Sequence, residues 1–182
     1  MIRHDLGWFT TEEGEALLNK SATWPLEQPT VIVWDKPHKV PRLTCWFTDG
    51  DSGYQYSGQV AKPHRWPPEI FAIKTRIEDE LGTKLQHCLV NFYRSCDHTV
   101  GWHSDDDHIF GPNPTIASLS CGATRKFKMR HKSDRSQKLE FELSHGDLLV
   151  FTDDYVLDWQ HTIPRTAKAV GARLNLTFRS GK

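Results

Sequence analysis

At 182 residues the chain is long enough to bury one substantial core without disulfides or structural metals, and a single domain over 1–182 is expected. Its 23 basic and 23 acidic residues cancel, which excludes a nucleic-acid binder held by overall charge; any such partner must be met by a local patch. Four cysteines, Cys45, Cys88, Cys96 and Cys121, form no C-x-x-C pair and no zinc-ligand spacing, so they read as free thiols of a reducing compartment.

In chain order, the first helix signal is Thr10-Thr11-Glu12-Glu13, a capping box ahead of Ala16, Leu17 and Leu18. Between 31 and 57 the prolines at 37 and 41 and the glycines at 50 and 53 predict irregular hairpins, unusually rich in aromatics. Pro67-Pro68 opens a second helix that buries Ile70, Ile73, Ile77 and Leu81 and stops at Gly82. From there the pattern turns to short β-rich runs at 88–93, 115–121, 125–130, 138–143, 148–152 and 173–179. Gly111-Pro112-Asn113-Pro114, the polar 132–137 stretch and His145-Gly146-Asp147 supply turns between them. Two helices followed by such a series predict an α+β protein with a two-sheet jelly-roll core. No amino-terminal apolar run follows basic residues, and no stretch approaches the roughly 20 apolar residues of a spanning helix. A soluble monomer without membrane contact or targeting signal, cytoplasmic or nuclear, is the expectation.

Polar residues recur at strand spacing. Arg173, Asn175, Thr177 and Arg179 share one strand face while Leu174, Leu176 and Phe178 share the other. Two guanidiniums on a half-buried face are costly to desolvate unless an anion meets them, and a small dicarboxylic acid would satisfy both. Asn91 and Tyr93 repeat the two-residue step, as do His103 and Asp105. With His161, the last pair makes two histidines and one carboxylate, the donor set of non-haem Fe(II) oxygenases, which leaves positions open for oxygen and a chelating cosubstrate. His-x-Asp or a lone histidine means little; the combination with the closing strand is specific.

Taken together, Asn91-Phe92-Tyr93, Gly101-Trp102-His103-Ser104-Asp105-Asp106-Asp107, Ile116-Ala117-Ser118-Leu119-Ser120, Gly122-Ala123-Thr124-Arg125, His145-Gly146-Asp147, Asp158-Trp159-Gln160-His161 and Arg173-x-Asn175-x-Thr177-Phe178-Arg179 resemble the AlkB family of iron- and 2-oxoglutarate-dependent nucleic-acid dealkylases. The likeness runs over roughly 41–180 and, through Pro41-Arg42-Leu43-Thr44, is similar to the subgroup of animal DNA and RNA repair homologues. Asp107, often Glu in that subgroup, is one departure, and Cys121, where bulkier apolar residues are frequent, is another. The first forty residues resemble the family loosely, and a minimal catalytic domain is expected.

The resemblance implies a double-stranded β-helix core over about 88–180, preceded by helices and by a base-covering hairpin lid over about 31–60. It implies His103, Asp105 and His161 as Fe(II) ligands, and Arg173, Arg179, Asn175, Thr177, Asn91 and Tyr93 as the 2-oxoglutarate pocket, with O2 as co-reactant and Arg179 beside the catalytic centre. The implied reaction is oxidative demethylation of 1-methyladenine and 3-methylcytosine in single- or double-stranded DNA or RNA, releasing formaldehyde, succinate and CO2. Phe47, Tyr54, Tyr56 and Ser57 are candidates for covering the flipped base, and Asp106 and Asp107 for accepting its exocyclic amine. Arg42 and the alternating Lys126, Lys128 and Arg130 are candidates for phosphate contact. Two other readings stand beside this one: an oxygenase acting on a protein or small molecule, and a nucleic-acid-binding module with a decayed metal site.

Overall fold

The computed structural model describes residues 1–33, 35–51, 53–56, 59–105 and 114–181. In chain order these form β1 (Ile2–Asp5), α1 (Thr11–Lys20), a 3-10 turn (Ser21–Thr23), β2 (Thr30–Val33), β3 (Lys36–Lys39), β4 (Leu43–Thr48), β5 (Tyr54–Tyr56), β6 (Gln59–Ala61), β7 (Pro63–His64), α2 (Pro68–Leu81), β8 (His87–Tyr93), β9 (Val100–His103), β10 (Thr115–Gly122), β11 (Arg125–His131), β12 (Lys138–Leu143), β13 (Leu148–Thr152), α3 (Asp154–Leu157), β14 (Trp159–Ile163) and β15 (Arg173–Arg179).

The two long helices start and stop where local chemistry requires. Thr10 Oγ1 accepts the Glu13 N–H at 3.2 Å while the Glu13 carboxylate accepts the Thr10 N–H at 2.8 Å, satisfying two donors that a helix start leaves orphaned. Pro68 needs no N–H in the first turn of α2. Gly82, at φ +63°, takes the left-handed conformation that ends it and donates its N–H to the Glu78 carbonyl. The buried stripe of α2, Ile70, Ile73 and Ile77, lies against a β-sheet with Leu17 of α1.

That sheet has seven strands in the order β1-β13-β10-β15-β8-β4-β7, antiparallel except for the β4–β7 pair. A four-stranded sheet, β12-β11-β14-β9, faces it, and two hairpins, β2–β3 and β5–β6, stand apart as two-stranded ribbons. One apolar cluster lies between the large sheet and the helices and includes Leu174, Leu176 and Phe178. A second is made by Ile116, Leu149 and Phe151 of the large sheet with Phe127, Met129 and Ile163 of the small one. The alternation of β15 therefore resolves as expected: its leucines and phenylalanine face the helices, and its polar residues line the space between the sheets. All seven of its residues are buried.

The stretch expected as irregular hairpins divides in two. Leu43–Thr48 is a full member of the large sheet, paired with β8 from Leu43↔Phe92 to Thr48↔His87, and only the flanking segments are hairpin ribbons. Leu-Thr-Cys-Trp-Phe-Thr carries apolar residues at both parities, because Cys45 and Phe47 pack under the helices while Trp46 is buried on the opposite face with Ala61 and Leu89. Strand β1 and the short α3 are further elements that periodicity did not predict; each is only four residues long. Gly122, at φ +93°, closes β10 where a Cβ would lie 2.3 Å from the Ala172 carbonyl oxygen.

The cysteines are free. Burial pushes the Cys45 and Cys88 thiols far up and Cys121 to about 12, so none forms a reactive thiolate near neutral pH. Cys96 is half-buried. A chromogenic disulfide reagent is expected to titrate one thiol rapidly in the native protein and all four after denaturation; fast reaction of a second native thiol would contradict the packing.

Candidate metal and cosubstrate site

The three predicted ligands converge. Strands β9 and β14 are neighbours with His103 directly opposite His161, and Asp105 follows two residues past the end of β9. Their ligand atoms all lie within 4.8 Å of one another, and the two imidazole centroids are 4.2 Å apart. Short bonds hold this corner: Ser104 Oγ donates to the Trp159 carbonyl at 3.0 Å, and Thr162 Oγ1 donates to the Val100 carbonyl at 2.6 Å. His103 Nδ1 is 2.9 Å from the Gly101 carbonyl, which can only accept, so Nδ1 is the nitrogen that donates and Nε2 is the one turned to the ligand cluster. The His161 ring is wedged between Phe127 and Phe151, at centroid distances of 5.2 and 5.8 Å.

The electrostatics prepare the donors. Burial, then the neighbouring His103, lower His161 to about 3, so it is a neutral ligand at physiological pH. Burial by itself would raise Asp105, which is 2% exposed, but Arg179 and the two histidines outweigh it and hold the carboxyl well below its usual range. Arg179 delivers this through two bonds to one oxygen: Nη2 and Nε donate to Asp105 Oδ2 at 2.7 and 3.2 Å. The other oxygen, Oδ1, is 3.7 Å from His103 Nε2. Two imidazoles and one ionised carboxylate at this spacing fit a ferrous ion with open positions.

The cosubstrate residues divide by how their hydrogen bonds are used. Arg173 is 1% exposed, lies with its guanidinium 5.2 Å from the Tyr93 ring, and donates Nη2 to Ser120 Oγ at 2.9 Å. Its Nε and Nη1 are buried with no hydrogen-bond partner among the described residues. A buried cation with idle donors is costly, and a carboxylate is the group that relieves the cost. This orphaned fork fits the distal end of 2-oxoglutarate. Asn175, by contrast, is saturated: Nδ2 donates to Ser118 Oγ and the Leu119 carbonyl, while Oδ1 accepts from Thr177 Oγ1. Asn175 and Thr177 therefore brace the pocket wall. Asn91, Tyr93, Arg173 and Arg179 line a cavity of about 40 Å³ together with the three ligand residues.

Several candidate substrate residues are not where the pattern suggested. Phe47 is 1% exposed and sits under the helices against Trp24 and Trp66, because strand parity sends it away from the site. Arg42 is no surface cation: it is 5% exposed and bonded to Asn91. Lys126 and Lys128 are at the surface, but both reach Glu140 of the paired strand, at 2.5 and 3.0 Å, so the two cations share one counter-charge. Arg130 lies over the exposed Trp102 ring, 4.0 Å from its centroid, and donates to Gln160. Tyr54 and Tyr56 belong to β5 by their backbone, while Ser57, Asp106 and Asp107 lie outside the described residues, as do positions 111–113 of the expected Gly-Pro loop. Ser118, Ser120 and Trp102 were not singled out in the sequence. Alternation along 116–120 carries the signal for the two serines.

The profile of the 2OG-Fe(II) oxygenase superfamily matches residues 3–179. Over 165 residues the chain is 38% identical to the alpha-ketoglutarate-dependent dioxygenase alkB homolog 3 of Homo sapiens, covering 86% of this chain and 57% of that protein. Over 157 residues it is 34% identical to the DNA oxidative demethylase ALKBH2 of Homo sapiens, covering 82% and 60%. The chain thus spans somewhat over half the length of these curated relatives. Among solved structures, OsALKBH1 superposes with a TM-score of 0.72 at 19% identity, covering 98% of this chain and 97% of that one. A 2OG-Fe(II) oxygenase family oxidoreductase from Burkholderia pseudomallei gives 0.66 at 13%, covering 98% and 84%. At such identities the likeness concerns the fold, the α+β double-stranded β-helix.

Three expectations follow from the charges. His103→Ala should weaken anaerobic Fe(II) binding by roughly 100-fold or more, and titration calorimetry showing unchanged affinity would refute the ligand assignment. Without metal, Asp105→Ala should lower the melting temperature further than His103→Ala, because it strands the Arg179 guanidinium at a cost of about 3–5 kcal/mol. Arg173→Met should leave the unliganded protein no less stable while removing the thermal shift that 2-oxoglutarate gives the wild type; a retained shift would contradict its role.

Proposed function

The chain belongs to the 2OG-Fe(II) oxygenase superfamily and, within it, to the AlkB dioxygenases, and from that premise we propose that it demethylates 1-methyladenine and 3-methylcytosine in DNA or RNA, a direct repair of alkylation damage. The observation that carries the reading is the pairing of an assembled metal triad with a buried, half-unpartnered Arg173 in one cavity, in a chain so similar to alkB homolog 3 and to a DNA oxidative demethylase.

His103, Asp105 and His161 would hold Fe(II), and Arg173, Asn91 and Tyr93 would take 2-oxoglutarate. Together, iron, 2-oxoglutarate and O2 supply the oxidation of a substrate C–H bond, with succinate and CO2 as co-products. The protein's own residues do the rest. Arg179 keeps Asp105 ionised and presents one of its oxygens. Phe127 and Phe151 fix the His161 ring and keep bulk water from it. The product of methyl oxidation is an N-hydroxymethyl base, which breaks its C–N bond to leave formaldehyde and the repaired base.

Such lesions block Watson–Crick pairing, so extruding the damaged base costs less than extruding a paired one. The β2–β3 and β5–β6 hairpins are the proposed lid over that base, with Tyr54 and Tyr56 on the second; Ser57 is a further candidate for covering the base, and Asp106 and Asp107 for accepting its amine. For the backbone, Arg130 and the exposed Trp102 are better placed than Lys126 and Lys128, whose charges Glu140 partly neutralises. That neutralisation is what favours the second reading, an oxygenase acting on a protein or small molecule.

Mass spectrometry of short single-stranded oligonucleotides carrying either lesion, incubated with enzyme, Fe(II), ascorbate and 2-oxoglutarate, tests the proposal. Loss of one methyl mass, dependent on 2-oxoglutarate and absent in His103→Ala, is expected. Succinate formation without methyl loss on any strand would instead support the second reading. Tyr56→Ala should slow turnover about tenfold or more, the value of one stacked base, with 2-oxoglutarate affinity unchanged.

A further inference from the structure

Arg42 stands where two cavities meet. One is the cosubstrate cavity of about 40 Å³; the other, about 160 Å³, runs alongside and is lined by Val31, Val40, Thr44 and Trp46. Arg42 and Leu89 line both. The arginine belongs to the segment leading from the β2–β3 hairpin into β4, yet its side chain is turned inward and 5% exposed. Its Nε donates to Asn91 Oδ1 at 2.6 Å, and its Nη1 donates to the Thr99 carbonyl at 3.3 Å.

The bond to Asn91 decides which way an ambiguous group faces. A side-chain amide has an acceptor and a donor of nearly equal shape, and a half-turn exchanges them. Arginine has donors only, so the Asn91 oxygen must face Arg42. The Asn91 Nδ2, which donates to nothing else among the described residues, is then reserved for the contents of the cavity. An anionic cosubstrate needs donors there and would be repelled by the oxygen. The contrast with Asn175, whose amide is spent on Ser118 and Leu119, leaves Asn91 as the amide with capacity to spare.

We propose that Arg42 is a positioning residue for the cosubstrate: it locks the Asn91 amide with its N–H groups toward 2-oxoglutarate, and so ties the strand beneath the hairpins to cosubstrate affinity. This deepens the reading above and rests on its cosubstrate assignment. Direct contact with nucleic-acid phosphate is a different role, one that would require Arg42 to leave the Asn91 and Thr99 acceptors.

The test is calorimetric binding of 2-oxoglutarate to the protein loaded with Mn(II), without turnover. Wild-type binding lost in Arg173→Met secures the cosubstrate site itself; absence of wild-type binding would overturn that reading and this proposal together. Arg42→Met fills the space but donates nothing, and it should weaken 2-oxoglutarate binding about tenfold, the scale of one buried hydrogen bond. Arg42→Lys keeps a donor and should recover most of that loss. In an Asn91→Ala background, Arg42→Met should weaken binding no further, because the arginine acts through the amide. Unchanged affinity in Arg42→Met, equal losses in the Met and Lys variants, or additive losses in the double variant would each overturn the proposal while leaving the cosubstrate site intact.

Discussion

The buried ion pair between Arg179 and Asp105 is the constraint on which the site depends. It spans the two sheets, since Arg179 closes β15 of the large one and Asp105 follows β9 of the small one. A carboxyl 2% exposed would otherwise take up a proton and cease to be a metal ligand. The guanidinium keeps it charged and also makes it asymmetric: both bonds go to Oδ2, leaving Oδ1 nearer His103. One free carboxylate oxygen beside two imidazoles leaves open coordination positions, which a bidentate carboxylate would reduce. The arginine is itself costly to bury, and the carboxylate offsets that cost.

Arg173 is the complementary case at the other end of the same strand. It is as deeply buried as Arg179, but among the described residues a serine hydroxyl and the Tyr93 side chain attend it in place of a carboxylate. The strand thus carries one cation satisfied from within and one left for an incoming anion. That asymmetry would give a bound dicarboxylic acid a defined direction, with one end drawn to Arg173 and the other toward the metal ligands.

Much of this was legible in the sequence because it depends on local periodicity. The faces of 173–179, the cap at Thr10, the Pro68 start and the Gly82 stop each follow from residues within a few positions of one another. What could not be read depends on register between strands. Phe47 and Trp46 are both aromatic and adjacent, so parity decides which faces the interior of the sandwich, and only the pairing of Trp46 with Leu89 fixes it. The cationic row at 126–130 is visible in the sequence; that Glu140 falls opposite Lys128 is a property of the β11–β12 register. Arg42 misled for the same reason: beside His38 and Lys39 it looks like part of a basic patch, but the β4–β8 pairing carries it inward to Asn91.

Residue type alone does not separate scaffold from ligand-binding groups in this pocket; the count of satisfied hydrogen bonds does. Two asparagines lie directly opposite each other on β8 and β15 and line the same cavity. Asn175 has both amide hydrogens and its oxygen engaged, so rotating it toward a ligand would break three bonds at once. Among the described residues, Asn91 has only its oxygen engaged. The same distinction divides the arginines, Arg125 spending its donors on the carbonyls of Ser95, His98 and Pro164 while Arg173 keeps two in reserve. Burying an unsatisfied donor costs more than a made bond returns, so a buried cation with idle donors calls for a partner. The two unsatisfied nitrogens of Arg173 are therefore where an anion entering this interior would be met.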